Sequence, residues 1–269
     1  MTYKNALITG GSRGLGLEVA RLLASDGCRV TIVGRNVDSL ESAIASFSGS
    51  EHRHWSFDLS EPVQIRELLR GMEGESFDIL FNNAGASQFG PFSGLSEETI
   101  EKMINLNFIA PALISRQFLR TCATGATLVN ITSIVGTVPM PGNTLYCAAK
   151  AGLKTLSECL WFEARGKGVR VLDFRPVSLN TDFHRLAGGK SLSASRMMID
   201  PSRAALDLVN AVKRGRNFVY VHGILAKFLE MMNRLLPRKL LIMSLGKRSI
   251  QTGYLGRENP DHVNHALHL

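Results

Sequence analysis

Short runs of apolar residues alternate along the chain with longer stretches in which apolar positions recur at helical spacing. The runs 6–9, 29–33, 77–81, 127–131, 169–174 and 218–221 are rich in Val, Ile, Leu and Phe and read as apolar on both faces. This pattern predicts strands of a parallel sheet covered by helices on both sides. Between them, 15–25, 37–47, 62–70, 97–109, 111–122, 146–165 and 202–214 predict helices. Alternating β and α of this kind implies an α/β fold with a doubly wound parallel sheet. No internal repeat or low-complexity linker interrupts it, so one domain is expected.

Two stretches depart from the rhythm. Residues 176–201 are rich in Ser and Gly, with Gly188, Gly189, Ser191, Ser193 and Ser195. A connection this long in a compact domain predicts a functional lid or a disordered loop. Phe183, Leu186, Leu192, Met197 and Met198 would give such a lid an adaptable apolar face, although packing onto the core explains them equally well. From His222 onward, Ile224, Leu225, Phe228, Leu229, Met231, Met232, Leu235 and Leu236 form an apolar stripe at helical spacing, and Leu240, Leu241, Ile242, Met243 and Leu245 resume it after Pro237. Lys227, Arg234, Arg238, Lys239, Lys247 and Arg248 stand against Glu230, a balance of +5 over residues 222–249. A basic amphipathic segment reads as membrane-surface contact, or as a helix that covers a pocket or a subunit interface.

Composition narrows the setting. The 269 residues are 45% hydrophobic and 20% charged, enough to bury a core without staples, and collagen, coiled coil and wholesale disorder are excluded. The net charge of +8 admits nucleic acid, anionic lipid or a phosphorylated cofactor. Nucleic acid is not expected, because the basic segment lacks interleaved aromatics and no binding motif is present. Cys28, Cys122, Cys147 and Cys159 show no metal or redox spacing and read as reduced thiols. His262, His265 and His268 recur every third residue, but no other ligand type accompanies them, so no metal is expected. No leader-like pattern opens the chain and no apolar run is long enough to span a membrane, so a cytoplasmic protein, peripheral on a membrane surface at most, is expected.

The chemistry is carried by seven short motifs. Gly10, Ser12, Arg13, Gly14, Leu15 and Gly16 lie in a glycine-rich turn between the first strand and its helix, where backbone amides and the helix dipole favour a pyrophosphate. The spacing T-G-x-x-x-G-x-G resembles that of the classical short-chain dehydrogenase/reductase family. The remaining motifs follow in that family's order. They are Asp58-Leu59, Asn82-Asn83-Ala84-Gly85, Asn107, Ser133, Tyr146-x-x-x-Lys150 thirteen residues after Ser133, and Pro176 through Thr181. One position departs: Val177 stands where glycine is usual. Alone, a tyrosine and lysine one helical turn apart, a serine at a strand end or an asparagine in a helix each reads as ordinary packing or capping; in register with the glycine loop they read as one site.

The resemblance implies a Rossmann-type fold over roughly residues 4–222, a catalytic domain 1–222 that includes the lid 176–201, and a basic amphipathic extension 223–269. It implies Ser133, Tyr146, Lys150 and Asn107 as catalytic residues. Cofactor contacts are implied for the glycine-loop residues, Arg35, Asn36, Asp58, Leu59, Asn83, Ala84, Gly85, Tyr146, Lys150, Pro176 and Thr181. A Lys150 ammonium on the Tyr146 face of its helix is expected to lower the phenol toward the working pH range. Ser133 would polarise a carbonyl, and Asn107 would hold a water that relays protons to Lys150. The second strand ends Val33-Gly34-Arg35-Asn36, with no acid to receive a ribose 2′-hydroxyl, while Arg35 and Arg13 suit a 2′-phosphate. The expected cofactor is therefore NADP(H). The expected reaction reduces a ketone of an apolar substrate, lipid-like, acyl or polycyclic. A cofactor-binding sensor with little turnover is the alternative, and Tyr146 and Lys150 speak against it. The family's oligomers imply a homodimer or homotetramer through the helices after the fourth and fifth strands.

Overall fold

The first strand lies in the middle of the sheet. The strands are β1 (Asn5–Thr9), β2 (Arg29–Gly34), β3 (Arg53–Ser56), β4 (Ile79–Asn82), β5 (Thr127–Ile131), β6 (Arg170–Pro176) and β7 (Phe218–His222). In the computed structural model, which describes residues 3–188, 198–251 and 255, these pair in the order β3-β2-β1-β4-β5-β6-β7, every neighbour parallel. Successive side chains alternate between two cores. Ala6 and Ile8 join Val30, Ile32 and Phe174 beneath α1 (Gly14–Ser25), α2 (Val37–Ala45) and α8 (Pro201–Lys213). Leu7 joins Leu80, Leu128 and Val171 on the opposite face, against α3 (Pro62–Gly71), α5 (Ala110–Thr121) and α6 (Thr144–Glu163). Both faces being covered is the reason β1, β2 and β4 are largely apolar on both sides rather than alternating.

Three features differ from the sequence expectation, while the basic extension follows it. The edge strand β3 was not predicted: its residues Arg-His-Trp-Ser are all at least partly exposed and carry no apolar run. Segment 169–174 reads as apolar on both faces, but Asp173 and Arg175 turn two buried charges to one face of β6. The helix predicted over 97–109 is α4 (Glu97–Ile104) followed by a π-turn at Asn105–Ile109 that runs into α5. In the basic extension, Gly223 turns the chain at φ +95°, α9 (Ile224–Leu235) follows, and Pro237 separates it from α10 (Arg238–Gln251).

Val177, the departure from the family glycine, is buried with Ile134, Val138, Ala226 and Leu241. A branched side chain is tolerated there because α9 and α10 supply its apolar surroundings. Of the lid, Phe183 and Leu186 bound the short helix α7 (Phe183–Leu186), and Met198 is half-buried. Gly189, Ser191, Leu192, Ser193, Ser195 and Met197 lie outside the described residues, as do His262, His265 and His268. Among the described residues no helix is long and apolar enough to cross a membrane, and no group of three His, Cys, Asp or Glu side chains is placed to hold a metal.

Candidate active site

The expected site residues gather at the carboxyl ends of the parallel strands, where open α/β sheets carry ligand crevices. Gly10 and Gly14 adopt φ of +66° and +56°, which an L side chain resists. At Gly16 a Cβ would stand 2.3 Å from the Gly10 carbonyl oxygen, so the loop closes only with glycine there. Asn83 locks this turn from β4: its Nδ2 donates to the carbonyls of Thr9 and Gly10, both at 3.0 Å, while the amides of Asn83 and Ala84 donate to Thr9 Oγ1. The first turn of α1 has no side-chain cap and no acid, so its amides remain available to an anion.

At the far end of this cradle, burial and the positive charge of Arg35 hold the Arg13 guanidinium below its ordinary value. A phosphate between the two cations would relieve that repulsion. Arg35 also lies 3.5 Å from Asp58 Oδ2, and Asp58 Oδ1 accepts from the amide and hydroxyl of Ser60. Ser12 Oγ faces the β2 end, 3.6 Å from where a Cβ on Gly34 would lie. Asn36 serves as the N-cap of α2, its side chain accepting from the Ser39 amide at 2.7 Å. Leu15 and Leu59 are buried in the two cores. Thr181 approaches the loop from the lid, its methyl 3.2 Å from where a Cβ on Gly14 would lie. Pro176 closes β6 on the same edge. The cradle fits a dinucleotide with a 2′-phosphate: open amides, room only for glycine, and two guanidinium groups in place of an acid.

The four expected catalytic side chains lie together beside this cradle. Tyr146 and Lys150 share a face of α6, with Lys150 Nζ 5.6 Å from the Tyr146 ring centroid and donating to the Ile131 carbonyl at 2.9 Å. The π-turn at Asn105–Ile109 widens the helix at Asn107, a device common at functional positions. Asn107 is fully buried, and its Nδ2 donates to the carbonyls of Ala86 and Met103, both at 2.9 Å. Its Oδ1 has no partner. A Cβ on Gly85 would stand 2.9 Å from that oxygen and 3.5 Å from Lys150 Nζ, so both face one small space that glycine keeps open. Ser133 caps the 3-10 turn Ile134–Gly136; its Oγ accepts from the Val135 amide at 3.3 Å, which leaves its hydroxyl proton free to donate.

Electrostatically the pair departs from the sequence expectation. Burial pushes the Tyr146 phenol up, not down, and the neighbouring Cys147 adds to the rise. The same burial pushes Lys150 down to about 8, with the Asp173 carboxylate opposing the shift. Phe183 of α7 covers the tyrosine, ring centroids 5.5 Å apart, and Met103, Leu145 and Ile100 complete an apolar wall.

A family model described as short chain dehydrogenase matches residues 4–189 of this chain. The chain belongs to the short-chain dehydrogenase family. This member is 34% identical to the 3-oxoacyl-[acyl-carrier-protein] reductase of Chlamydia trachomatis, over 68% of this chain and 76% of that protein. Among solved structures, it superposes on a short-chain dehydrogenase from Sphingobium yanoikuyae in complex with NADPH with a TM-score of 0.77. The identity is 25%, covering 90% of this chain and 95% of that one. A short chain dehydrogenase from Burkholderia cenocepacia in complex with NADP gives a TM-score of 0.70 at 27% identity, covering 81% and 95%. As a family member the protein is an oxidoreductase of carbonyl and alcohol groups.

Sequence reasoning missed the support of this dehydrogenase site. Asn82, first of the N-N-A-G run, points the other way: its Nδ2 donates to Asn130 Oδ1 at 2.8 Å and to Ser115 Oγ at 2.9 Å, and Asn130 in turn donates to Ser157 on α6. Asp173, Arg175, Glu158 and Glu230 form an ionic cluster beneath β6, of which Asp173, Arg175 and Glu230 are buried and Glu158 half-buried. The available signal was the D-x-R alternation at period two inside an otherwise apolar strand, which places both charges on one face.

Proposed function

We propose that the protein is an NADP(H)-dependent reductase that converts a ketone of an apolar, lipid-like, acyl or polycyclic substrate to the alcohol. The observation that carries this reading is the buried Tyr146–Lys150 pair with the unpartnered Asn107 oxygen facing the same space as the ammonium. NADPH would be held by the glycine loop, by Arg13 and Arg35 at its 2′-phosphate, and by Asp58, Leu59, Asn83, Ala84, Gly85, Lys150, Pro176 and Thr181 along its length. When bound, it supplies the hydride. Ser133 donates a hydrogen bond to the substrate oxygen as negative charge develops there. Tyr146 delivers its phenolic proton to that oxygen; a phenol kept protonated by burial suits the reducing direction. Lys150 returns a proton to the tyrosine, and Asn107 Oδ1 holds the water through which the lysine is resupplied.

An apolar substrate is supported by the wall of Met103, Leu145, Ile100 and Phe183 around Tyr146, and by the 3-oxoacyl substrate in the name of the Chlamydia relative. The test is NADPH oxidation against ketones of rising apolar size, with Tyr146→Phe as control. Turnover should grow with apolar size and fall at least about 100-fold in the variant. Equal turnover in Tyr146→Phe would overturn the assignment.

Peripheral contact of residues 223–248 with an anionic membrane surface in the cytoplasm belongs to the same reading. Ile224, Phe228, Met231 and Leu235 are exposed at helical spacing along α9, Ile224 at 88%, while the one acid of the segment, Glu230, is turned inward. Sedimentation with phosphatidylserine vesicles, absent with phosphatidylcholine alone and weakened by salt, is the expected result. A homodimer or homotetramer through α4–α5 and α6 is supported by Phe162, 69% exposed on α6; sedimentation velocity reads it directly.

A further inference from the structure

Asp173 and Arg175 project from one face of β6 and are 0% and 2% exposed. Arg175 is ringed by acids: Nε donates to Asp173 Oδ2, Nη2 to Glu158 Oε1 on α6 and Nη1 to Glu230 Oε1 on α9, each at 2.7 Å. The other Asp173 oxygen accepts from Thr132 Oγ1. Thr132 stands between two residues of the candidate site. On one side is Ile131, whose carbonyl takes the Lys150 ammonium at 2.9 Å; on the other is Ser133. The Thr132 amide is itself pinned to the Phe174 carbonyl at 2.9 Å.

A buried guanidinium with three carboxylates is costly to desolvate, and apolar packing of the same volume commonly stabilises a fold at least as well. Its geometry serves alignment. We propose that Asp173, Arg175 and Glu230 are positioning residues: the chain Glu230–Arg175–Asp173–Thr132 clamps the β5 terminus that presents the Ile131 carbonyl and Ser133. It thereby holds Lys150 against Tyr146 and ties that alignment to the docking of α9. The proposal rests on the reductase reading of the same site. The charge of Asp173 also favours the Lys150 ammonium, against burial that pushes it down to about 8.

The groups that face this carboxylate are few. Arg175 lies on its own strand; Lys150, Glu158 and, through Glu158 at 3.3 Å, Lys154 lie on α6; Glu230 and, at 3.4 Å from it, Arg234 lie on α9. Removing the Asp173 charge should therefore lower the pH at which Lys150 loses its proton.

The experiment compares the full-length protein with Asp173→Asn, Glu230→Gln and Tyr146→Phe. One readout is the 15N NMR titration of Lys150 Nζ, assigned by Lys150→Arg; the other is the pH profile of kcat for NADPH-dependent ketone reduction. Asp173→Asn should move the Lys150 midpoint and the alkaline limb of kcat down by about one pH unit. It should lower kcat roughly tenfold, with KM for NADPH little changed. Glu230→Gln should move both in the same direction by less; it carries the test by the same readouts if Asp173→Asn folds poorly. Folded variants with a lowered Tm but an unmoved midpoint and an unmoved alkaline limb would overturn the proposal in favour of a structural brace. Absence of turnover in the wild type, or full turnover in Tyr146→Phe, would overturn the reductase reading instead, and the NMR midpoint alone then decides the clamp.

Discussion

Lys150 holds its charge at a cost to the fold. Its ammonium is 2% exposed and its pKa falls to about 8 from 10.5. A depressed folded value means that the protonated lysine opposes folding below about 8 and that the penalty disappears as pH rises toward 10.5. At pH 7 the penalty is on the order of 3 kcal/mol. Lys150→Met should therefore abolish reduction yet raise Tm at pH 7, with the gain shrinking toward pH 10 in calorimetry. In the wild type the same titration should make ketone reduction fall as pH rises through about 8, because the lysine can no longer return a proton. Arg13→Ala combined with Arg35→Ala should reduce the preference for NADPH over NADH by at least about tenfold, read from the two Kd values, through loss of charge-assisted bonds to the 2′-phosphate. Tyr146, Lys150, Ser133 and Asn107 were singled out in the sequence by resemblance to the short-chain dehydrogenase motifs, and of these only the Tyr146–Lys150 pairing also follows from helical spacing. The ionic cluster was not: its bonds join residues 17 and 55 positions apart, and no local pattern announces such a pairing.

Among the elements, the strands with covered faces were legible and the edge was not. β3 pairs with β2 on one side only and is built from Arg53, His54, Trp55 and Ser56, all at least partly exposed, so neither an apolar run nor clean alternation marks it. The break of the predicted 97–109 helix into α4 and a π-turn was likewise invisible, because one extra residue in a turn leaves helical periodicity nearly intact. The extension shows the reverse: its amphipathic stripe was read correctly as helical, while its attachment was not foreseen. Val177, Ala226 and Leu241 join the segment after β6 to α9 and α10. Val177→Ala should destabilise this docking by about 1–3 kcal/mol. Faster proteolytic cleavage within 224–251 than in the wild type is the expected readout; equal rates would mean that the extension is held elsewhere.

For the whole molecule, the sheet and its two cores form one unit that a ligand at the strand ends should stabilise. NADPH at one hundred times its Kd should raise stability by about 2.7 kcal/mol, and Tm should climb with its concentration where NADH leaves it lower. The strand order has a further consequence in time rather than in space. All six neighbour pairings are parallel, so no pair can form as a hairpin, and each waits for a whole crossover to be made. As the chain leaves the ribosome, β1 can find β2 once residue 34 has emerged, but its other edge stays open until residues 79–82 arrive. At about 5–20 residues per second that edge, with Leu7 and Ile8 upon it, stands bare for some seconds. The nascent protein is therefore most in need of a chaperone while its central strand is half paired, and a pause in translation just before residue 79 should raise the aggregated fraction more than one placed after residue 131.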